Sequence, residues 1–245
     1  MPKSIIFISD IHLSENVPPL IDLFIAFLEG PARDASAIYI LGDWFDVWVG
    51  EDLLPAYFPA LRQALSQLKA RNIELYFIAG NRDFLISTSF LNEIGVKRLK
   101  DQTVIDLFGT KTLLMHGDIL CTQDKAYQLY RKFAQHPLTR RIFLMLPRKM
   151  REKIAQKLRH KSREYQQDKP LSILDVDPQA VETVFAEHQV EQLIHGHVHR
   201  PKIHILEIDN HSVQRLVLGD WKKDSASYIQ CTPEGCTLAT FLSDK

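Results

Sequence analysis

Hydrophobic residues along this chain change period several times, and each change marks an element. Residues 5–8 form a short continuous apolar run of the buried-strand kind, ending in Ser9-Asp10. Leu20, Leu23, Phe24, Phe27 and Leu28 follow at helical spacing, and Gly30 closes them. Residues 37–41 are a second strand ending in Gly42-Asp43, residues 55–71 a helix, and residues 73–78 a third strand running towards Gly80-Asn81. Residues 104–107 and 112–115 read as two strands joined by a turn, the second running into His116-Gly117-Asp118. From Thr122 the period is helical, punctuated by Pro137 and Pro147, which predicts about three helices before Pro170. Residues 179–188 predict a further helix, and 192–194 a strand ending in His195-Gly196-His197-Val198-His199. The tail alternates through Ile203, Ile205 and Ile208, then Leu216 and Leu218, then 228–230 and 237–241, the pattern of hairpins. The order βαβαβ, then more strands, predicts an α/β sandwich with helices outside two sheets. A mostly helical element interrupts it near 122–170.

Composition adds little until it is taken by region. The 245 residues are 45% hydrophobic and 24% charged, with 30 Lys+Arg against 30 Asp+Glu and a formal net charge of zero. That excludes a disordered chain and allows a substantial core. The balance is uneven, however. Residues 125–163 hold thirteen Lys and Arg and one acid, Glu152, leaving 17 against 29 elsewhere. Three cysteines without a Cys-x-x-Cys argue against a disulfide framework and a thiolate zinc site. Cys231 and Cys236 flank the turn sequence Thr-Pro-Glu-Gly and are expected to be two thiols lying close across a hairpin, in a reducing compartment. No apolar run approaches the roughly 20 residues of a membrane span. The apolar N-terminal stretch is too short for a signal peptide, so a cytosolic chain is expected.

Asp, His and Asn recur where a predicted strand stops, the place where α/β folds put functional groups. The segments are Asp10-x-His12, Gly42-Asp43-x-x-Asp46, Gly80-Asn81-Arg82-Asp83, His116-Gly117-Asp118 and Gly196-His197-x-His199. Any one of them is an ordinary turn. His136, His160, His188, His204 and His211 stand alone and read as hydrogen-bonding residues without a catalytic task. Five such segments in succession supply carboxylate, imidazole and amide oxygen but no thiolate. That donor set suits Mn²⁺, Fe or Zn²⁺ at a hydrolytic site.

In this order the motifs resemble those of the calcineurin-like metallophosphoesterases, D-x-H, G-D-x-x-D, G-N-H-[DE], H and G-H-x-H, over residues 10–199. The resemblance implies a sandwich of two mixed β-sheets flanked by helices, with residues 1–121 and 171–245 as core and 122–170 as a helical insert or cap. It implies two Mn²⁺ per chain, with Asp10, His12 and His199 on one, Asn81, His116 and His197 on the other, and Asp43 bridging. His195 precedes the last motif and is expected to give hydrogen-bonding support. Arg82 stands where many members have a general-acid histidine. Arginine releases no proton near neutral pH but forks onto phosphate oxygens, so a pyrophosphate is expected in preference to a phosphomonoester.

Longer stretches extend the resemblance to members of the family that serve lipid A synthesis. These are Ile-Leu-Gly-Asp-Trp-Phe-Asp at 40–46, Gly-Asn-Arg-Asp-Phe-Leu at 80–85, His-Gly-Asp-Ile-Leu-Cys-Thr at 116–122 and Ile-His-Gly-His-Val-His-Arg-Pro at 194–201, together with the basic insert. The implied reaction is water attack on the α-phosphorus of UDP-2,3-diacylglucosamine, giving UMP and 2,3-diacylglucosamine 1-phosphate (lipid X). The implied substrate contacts are Asn81, Arg82, Asp124, Ser162, Lys169 and His197; Gln166 stands near an expected asparagine and is not carried over.

Within the insert, Arg140-Arg141 and Arg148-Lys149 bracket the apolar residues 142–146, the pattern of a helix lying in a membrane interface. Tyr127, Leu129, Phe133, Phe143 and Leu144 are candidates to wall an acyl-chain chamber. Peripheral contact with the cytoplasmic face of the bacterial inner membrane is therefore expected, and no nucleic acid. Two other readings are a metallophosphoesterase for a soluble nucleotide, and a nucleic-acid-binding protein with an inactive hydrolase domain, since a basic patch suffices for phosphate neutralisation. The insert's apolar content argues against the first, and the complete ligand set against the second.

Overall fold

The computed structural model describes residues 4–162 and 175–243 in full and 163–167 as backbone. Period-two alternation in its strands sorts side chains into separate apolar layers. In β1 (Ile5–Ile8), Ile6 and Ile8 oppose Phe7; in β2 (Ala37–Leu41), Ile38 and Ile40 oppose Tyr39 and Leu41; in β3 (Glu74–Ile78), Leu75 and Phe77 oppose Ile78. These strands and β4 (Val96–Arg98) pair in parallel. The antiparallel hairpin of β10 (Ser225–Thr232) and β11 (Gly235–Leu242) completes a six-stranded sheet, ordered β11-β10-β1-β2-β3-β4.

The second sheet is formed by β5 (Gln102–Leu107), β6 (Thr110–Met115), β7 (Gln192–His195), β8 (Lys202–Ile208) and β9 (His211–Val217), in the order β5-β6-β7-β9-β8. Phe7, Tyr39, Leu41 and Ile78 meet Leu114, Ile194 and Leu216 between the sheets. Outside the first sheet lie α1 (Pro18–Glu29), α2 (Phe58–Ala70) and α3 (Thr88–Glu93). Outside the second, Val181, Val184 and Phe185 of a helix over Pro178–His188 meet Leu113, Met115 and Leu193. The fold is the expected sandwich of two mixed sheets flanked by helices.

Helix α1 buries Leu20, Ile21, Leu23, Phe24, Phe27 and Leu28, and its prolines pre-set the first turn. Phe24 and Phe27 meet Trp221 edge-on, at 5.5 and 5.0 Å between ring centroids. Burying each such side chain contributes roughly 1.5–3 kcal/mol. The packing also places the Trp221 amide to donate to the Asp10 carbonyl at 3.1 Å, tying this core to the first motif.

Three features differ from expectation. Helix α3 and strand β4 do not stand out in the hydrophobic pattern, because they are only six and three residues long. Tertiary context forms them: the Ser87 side chain caps α3 by accepting from the Phe90 amide, and β4 completes the edge that β3 offers. Cys231 and Cys236 are joined in a disulfide instead of remaining two thiols. The hairpin register sets them directly opposite each other, 4.0 Å apart at Cα, one pair beyond Thr232 and Gly235.

The insert forms α4 (Lys125–Ala134), α5 (Pro137–Met145) and α6 (Arg148–Gln167). Neither α4 nor α5 buries a residue, so polar contacts carry much of the attachment. Arg151 is buried and binds Asp52 Oδ1 at 2.9 Å, and Arg148 reaches Asp52 Oδ2 at 2.9 Å. Hydrogen bonds from Arg151, and then from Arg148, hold the Asp52 carboxyl down to about 2. Gly50 (φ 132°) holds a backbone conformation that other residues rarely adopt, and a Cβ there would crowd Arg151 Nη1 at 2.3 Å. The helix over Pro178–His188, α7 in chain order, returns the chain to the core. No helix among the described residues is long and apolar enough to cross a membrane.

Candidate metal centre

Parallel pairing of β1, β2 and β3 puts their C-terminal ends side by side, and parallel β6 and β7 do the same in the facing sheet. The motifs therefore meet at one rim. Their loops are bonded to each other: Asp10 N–H to Gly42 O at 3.1 Å, His12 N–H to Asp43 O at 2.9 Å, and Gly196 N–H to His116 O at 2.8 Å. A Cβ on Gly42 (φ 87°) would lie 2.6 Å from both Gly80 Cα and His116 Nδ1, so the glycines of two motifs are what let the loops touch.

The backbone is strained at the same place. Asp10, His12, Asp43, His197 and His199 have φ of 53°, 55°, 52°, 70° and 55°, half of the ten non-glycine residues with positive φ among those described. Each such residue costs about 1–3 kcal/mol and persists only where its surroundings over-determine it, which is common at functional sites.

His199 Nε2 lies 3.3 Å from Asp10 Oδ1, and with His12 these residues form a group whose donor atoms are all within 4.8 Å of one another. Asn81 Oδ1, His116 Nε2 and His197 Nδ1 converge at 3.0, 3.1 and 3.2 Å. Asp43 stands between the groups, with Oδ1 3.8 Å from His116 and Oδ2 3.9 Å from His12. The structure thus brings all seven expected ligands together.

The donor set fits a divalent cation. Both ring nitrogens of His12 are shielded from solvent and lack a hydrogen-bond partner, as does Asp10 Oδ1. Unpaired buried polar atoms are costly, and a cation satisfies several at once. Burial and Asp83 push the Asp43 carboxyl up to about 7, against His116 and Arg82. Burial opposes charge on Asp10 as well, yet contact with His199 and the potential of His116 hold that carboxyl well below the usual range. Burial also opposes charge on His116, but Asp43, Asp10 and Asp118 overcome it and hold the imidazolium up to about 9. Metal binding must displace that proton. His116 Nδ1, bonded to the Leu41 carbonyl at 2.8 Å, leaves Nε2 to face the cluster. Burial, then Arg82, keeps His12 neutral, and burial, then His116, takes His197 down to about 4.

Arg82 enters from the side. Its Nη1 donates to Asp46 Oδ1 at 2.8 Å, its Nε is 3.4 Å from Asp43 Oδ2, and its amide donates to Asp43 Oδ1 at 2.9 Å. Arg159 of α6 pairs with the other oxygen of Asp46. Asp83 accepts from the Gly80 and Trp44 amides and so ties the two loops together. His195 faces its own loop, with Nδ1 2.9 Å from Gly196 O.

The other predicted contacts are more scattered. Asp124 caps α4 by accepting from the Tyr127 amide at 3.0 Å, and Ser162, exposed on α6, stands in the wall of the cavity beside the centre. Lys169 and the Gln166 side chain lie outside the described residues. Sequence reasoning passed over Asp220, whose Oδ2 is 3.9 Å from His199 Nδ1. It follows Gly219 just beyond β9, so it repeats the Gly-Asp signature and was findable. Arg159, 113 residues from Asp46, carries no such signal.

Beside the centre is a cavity of about 490 Å³, walled by Trp48, Phe84 and Leu85 from the core and Tyr127, Phe133, Phe143 and Leu158 from the insert. Asn81 and Arg82 belong to both its wall and the centre, so the two are continuous. Leu129 and Leu144, expected in that wall, are absent from it and exposed.

The family model for calcineurin-like phosphoesterases matches residues 3–201. A UDP-2,3-diacylglucosamine hydrolase from Photobacterium profundum is 41% identical over 235 residues, 96% of each chain. One from Nitrosococcus oceani is 45% identical over 229 residues, 94% of this chain and 91% of its own. A solved archaeal phosphodiesterase shares the fold at a TM-score of 0.50 and 12% identity, covering 98% of this chain and 99% of its own. By sequence and by architecture alike, this chain belongs to the calcineurin-like phosphoesterases and, within them, to the UDP-2,3-diacylglucosamine hydrolase family.

Proposed function

We propose that this chain hydrolyses the pyrophosphate bond of UDP-2,3-diacylglucosamine, releasing UMP and 2,3-diacylglucosamine 1-phosphate. The observation that carries this reading is a metal centre continuous, through Asn81 and Arg82, with a largely apolar cavity. One end suits a phosphoanhydride and the other suits hydrocarbon. A soluble nucleotide would leave the apolar wall facing water, at roughly 25 cal/mol per Å².

Asp10, His12 and His199 would hold one divalent cation and Asn81, His116 and His197 a second, with Asp43 as a ligand to both; Mn²⁺ would suit these oxygen and imidazole donors. Cations held by these residues would supply acidification of a bound water and neutralisation of phosphate charge. Arg82, oriented by its Nη1 bond to Asp46, would offer its remaining N–H groups to non-bridging oxygens of the attacked α-phosphate. The departing 1-phosphate is stable as an anion, so Arg82 needs only to offset charge. Asn81, His197, Ser162, Lys169 and Asp124 complete the substrate contacts, Asp124 through its cap on α4. The assay is UMP release with Mn²⁺ from UDP-2,3-diacylglucosamine, soluble UDP-sugars and a nucleic acid. Release from the acylated substrate alone is expected, and equal release from the soluble sugars would support a nucleotide phosphoesterase instead.

Residues 122–170 act as a cap on the core formed by 1–121 and 171–245. Leu129, Phe133, Leu138, Ile142 and Met145 are each more than half exposed on it, among the exposed cations Lys132, Arg141 and Lys149. That surface suits an anionic bilayer, where each cation contributes about 1 kcal/mol. It keeps the enzyme at the cytoplasmic face of the inner membrane, where its substrate partitions. Co-sedimentation with anionic vesicles is expected at low salt, weakening at high salt. Absence of binding at both would remove the membrane from this reading.

A further inference from the structure

Helix α4 grips the loop that follows β6 at one buried carboxylate. Asp118 follows the ligand His116 by two residues, beyond a left-handed Gly117 (φ 115°). Its Oδ2 accepts from the Tyr127 hydroxyl at 2.7 Å and from Arg131 Nε at 2.6 Å, and its carbonyl accepts from Gln128 Nε2 at 2.8 Å. Residues 127, 128 and 131 fall on one face of α4, as i, i+1 and i+4 do on any helix. The Tyr127 ring stacks on His197, with centroids 5.9 Å apart and planes 30° apart, and also lines the cavity.

Helix α4 buries no residue, so its pose relative to the centre depends on these polar contacts more than on apolar packing. Two donors meeting one carboxylate, with Arg131 charged, make the strong kind of hydrogen bond. We propose that Asp118 is a positioning residue that couples the cap to the metal centre, setting the cavity wall against His197 through Tyr127 and Arg131. The lipid substrate in its test rests on the function proposed above.

Asp118→Asn keeps the shape and removes the charge. Loss of charge-assisted bonds of this kind predicts a KM for the acylated substrate raised about tenfold or more. The expected kcat is within about twofold of the parent's, because the ligand atoms are untouched. Mn²⁺ content should be unchanged, and amide hydrogen exchange of the holoenzyme should quicken in 125–134 alone. A merely structural role would quicken exchange across the core strands and leave KM in place. Tyr127→Phe removes one of the same bonds from the other partner. It should give the same exchange pattern, and the double variant should lose no more than the worse single one. Unchanged exchange in 125–134, or a kcat that falls together with Mn²⁺ content, overturns the coupling. If the parent enzyme releases no UMP from the acylated substrate while exchange still quickens only in 125–134, the substrate assignment fails and the coupling stands.

Discussion

Asp43→Ala is expected to lower Mn²⁺-dependent UMP release by about a thousandfold or more, since it removes the carboxylate shared by the two ligand groups. The metal-free variant should be as stable as the parent, or more so. Asp43 is buried beside Asp83 and Asp10, and its carboxyl is pushed up to about 7, so without a cation its charge is a burden on the fold. Alanine leaves a Cβ at φ 52°, so backbone strain is unchanged; the lost contacts are the Arg82 amide to Oδ1 and the ion pairs with Arg82 Nε and His116. Thermal unfolding with and without Mn²⁺ separates site from scaffold. A ligand that binds only the folded state raises the midpoint, and that rise should shrink or vanish in the variant. Parent-like turnover by folded Asp43→Ala would take Asp43 out of the centre.

Arg82→Ala should cost about 100- to 1000-fold in kcat/KM with Mn²⁺ retained, the range seen when one donor to a developing negative charge is removed. Arg82 is held by Asp46 at 2.8 Å, and Arg159 occupies the other oxygen of that carboxylate. Arg82→Lys keeps a charge but loses the fork and should recover only part of the loss. Arg82→His tests the leaving-group argument directly. It restores a group able to donate a proton, which an anionic phosphate does not need. Activity of the histidine variant well above that of the lysine variant would show that protonation matters after all.

How much of this was legible follows from what each feature depends on. Parallel strands buried on both faces read as continuous apolar runs, so β1 and β2 were found with their bounds intact. Their neighbours α3 and β4 are too short to carry a period and exist because Ser87 caps one and the β3 edge pairs the other. The Thr-Pro-Glu-Gly turn was plain, but the disulfide depends on a register that puts Cys231 opposite Cys236. Arg159 and Asp46 meet across 113 residues, and nothing local marks either for the other.

The sequence by itself determined the sheet sandwich and, through its motifs, which strand ends carry the candidate ligands. Side-chain alternation is a local property, and parallel strands necessarily deliver their C-terminal ends to one rim. Tertiary structure alone decided which apolar residues of the insert border the cavity: Phe143 and one edge of the largely exposed Phe133 do, whereas Leu129 and Leu144 do not. It also brought Tyr127 and Arg131 of α4 onto the buried Asp118 carboxylate. A helix period defines faces but not the direction they point. In this protein that direction is set by docking contacts such as Arg151 with Asp52, between residues 99 positions apart.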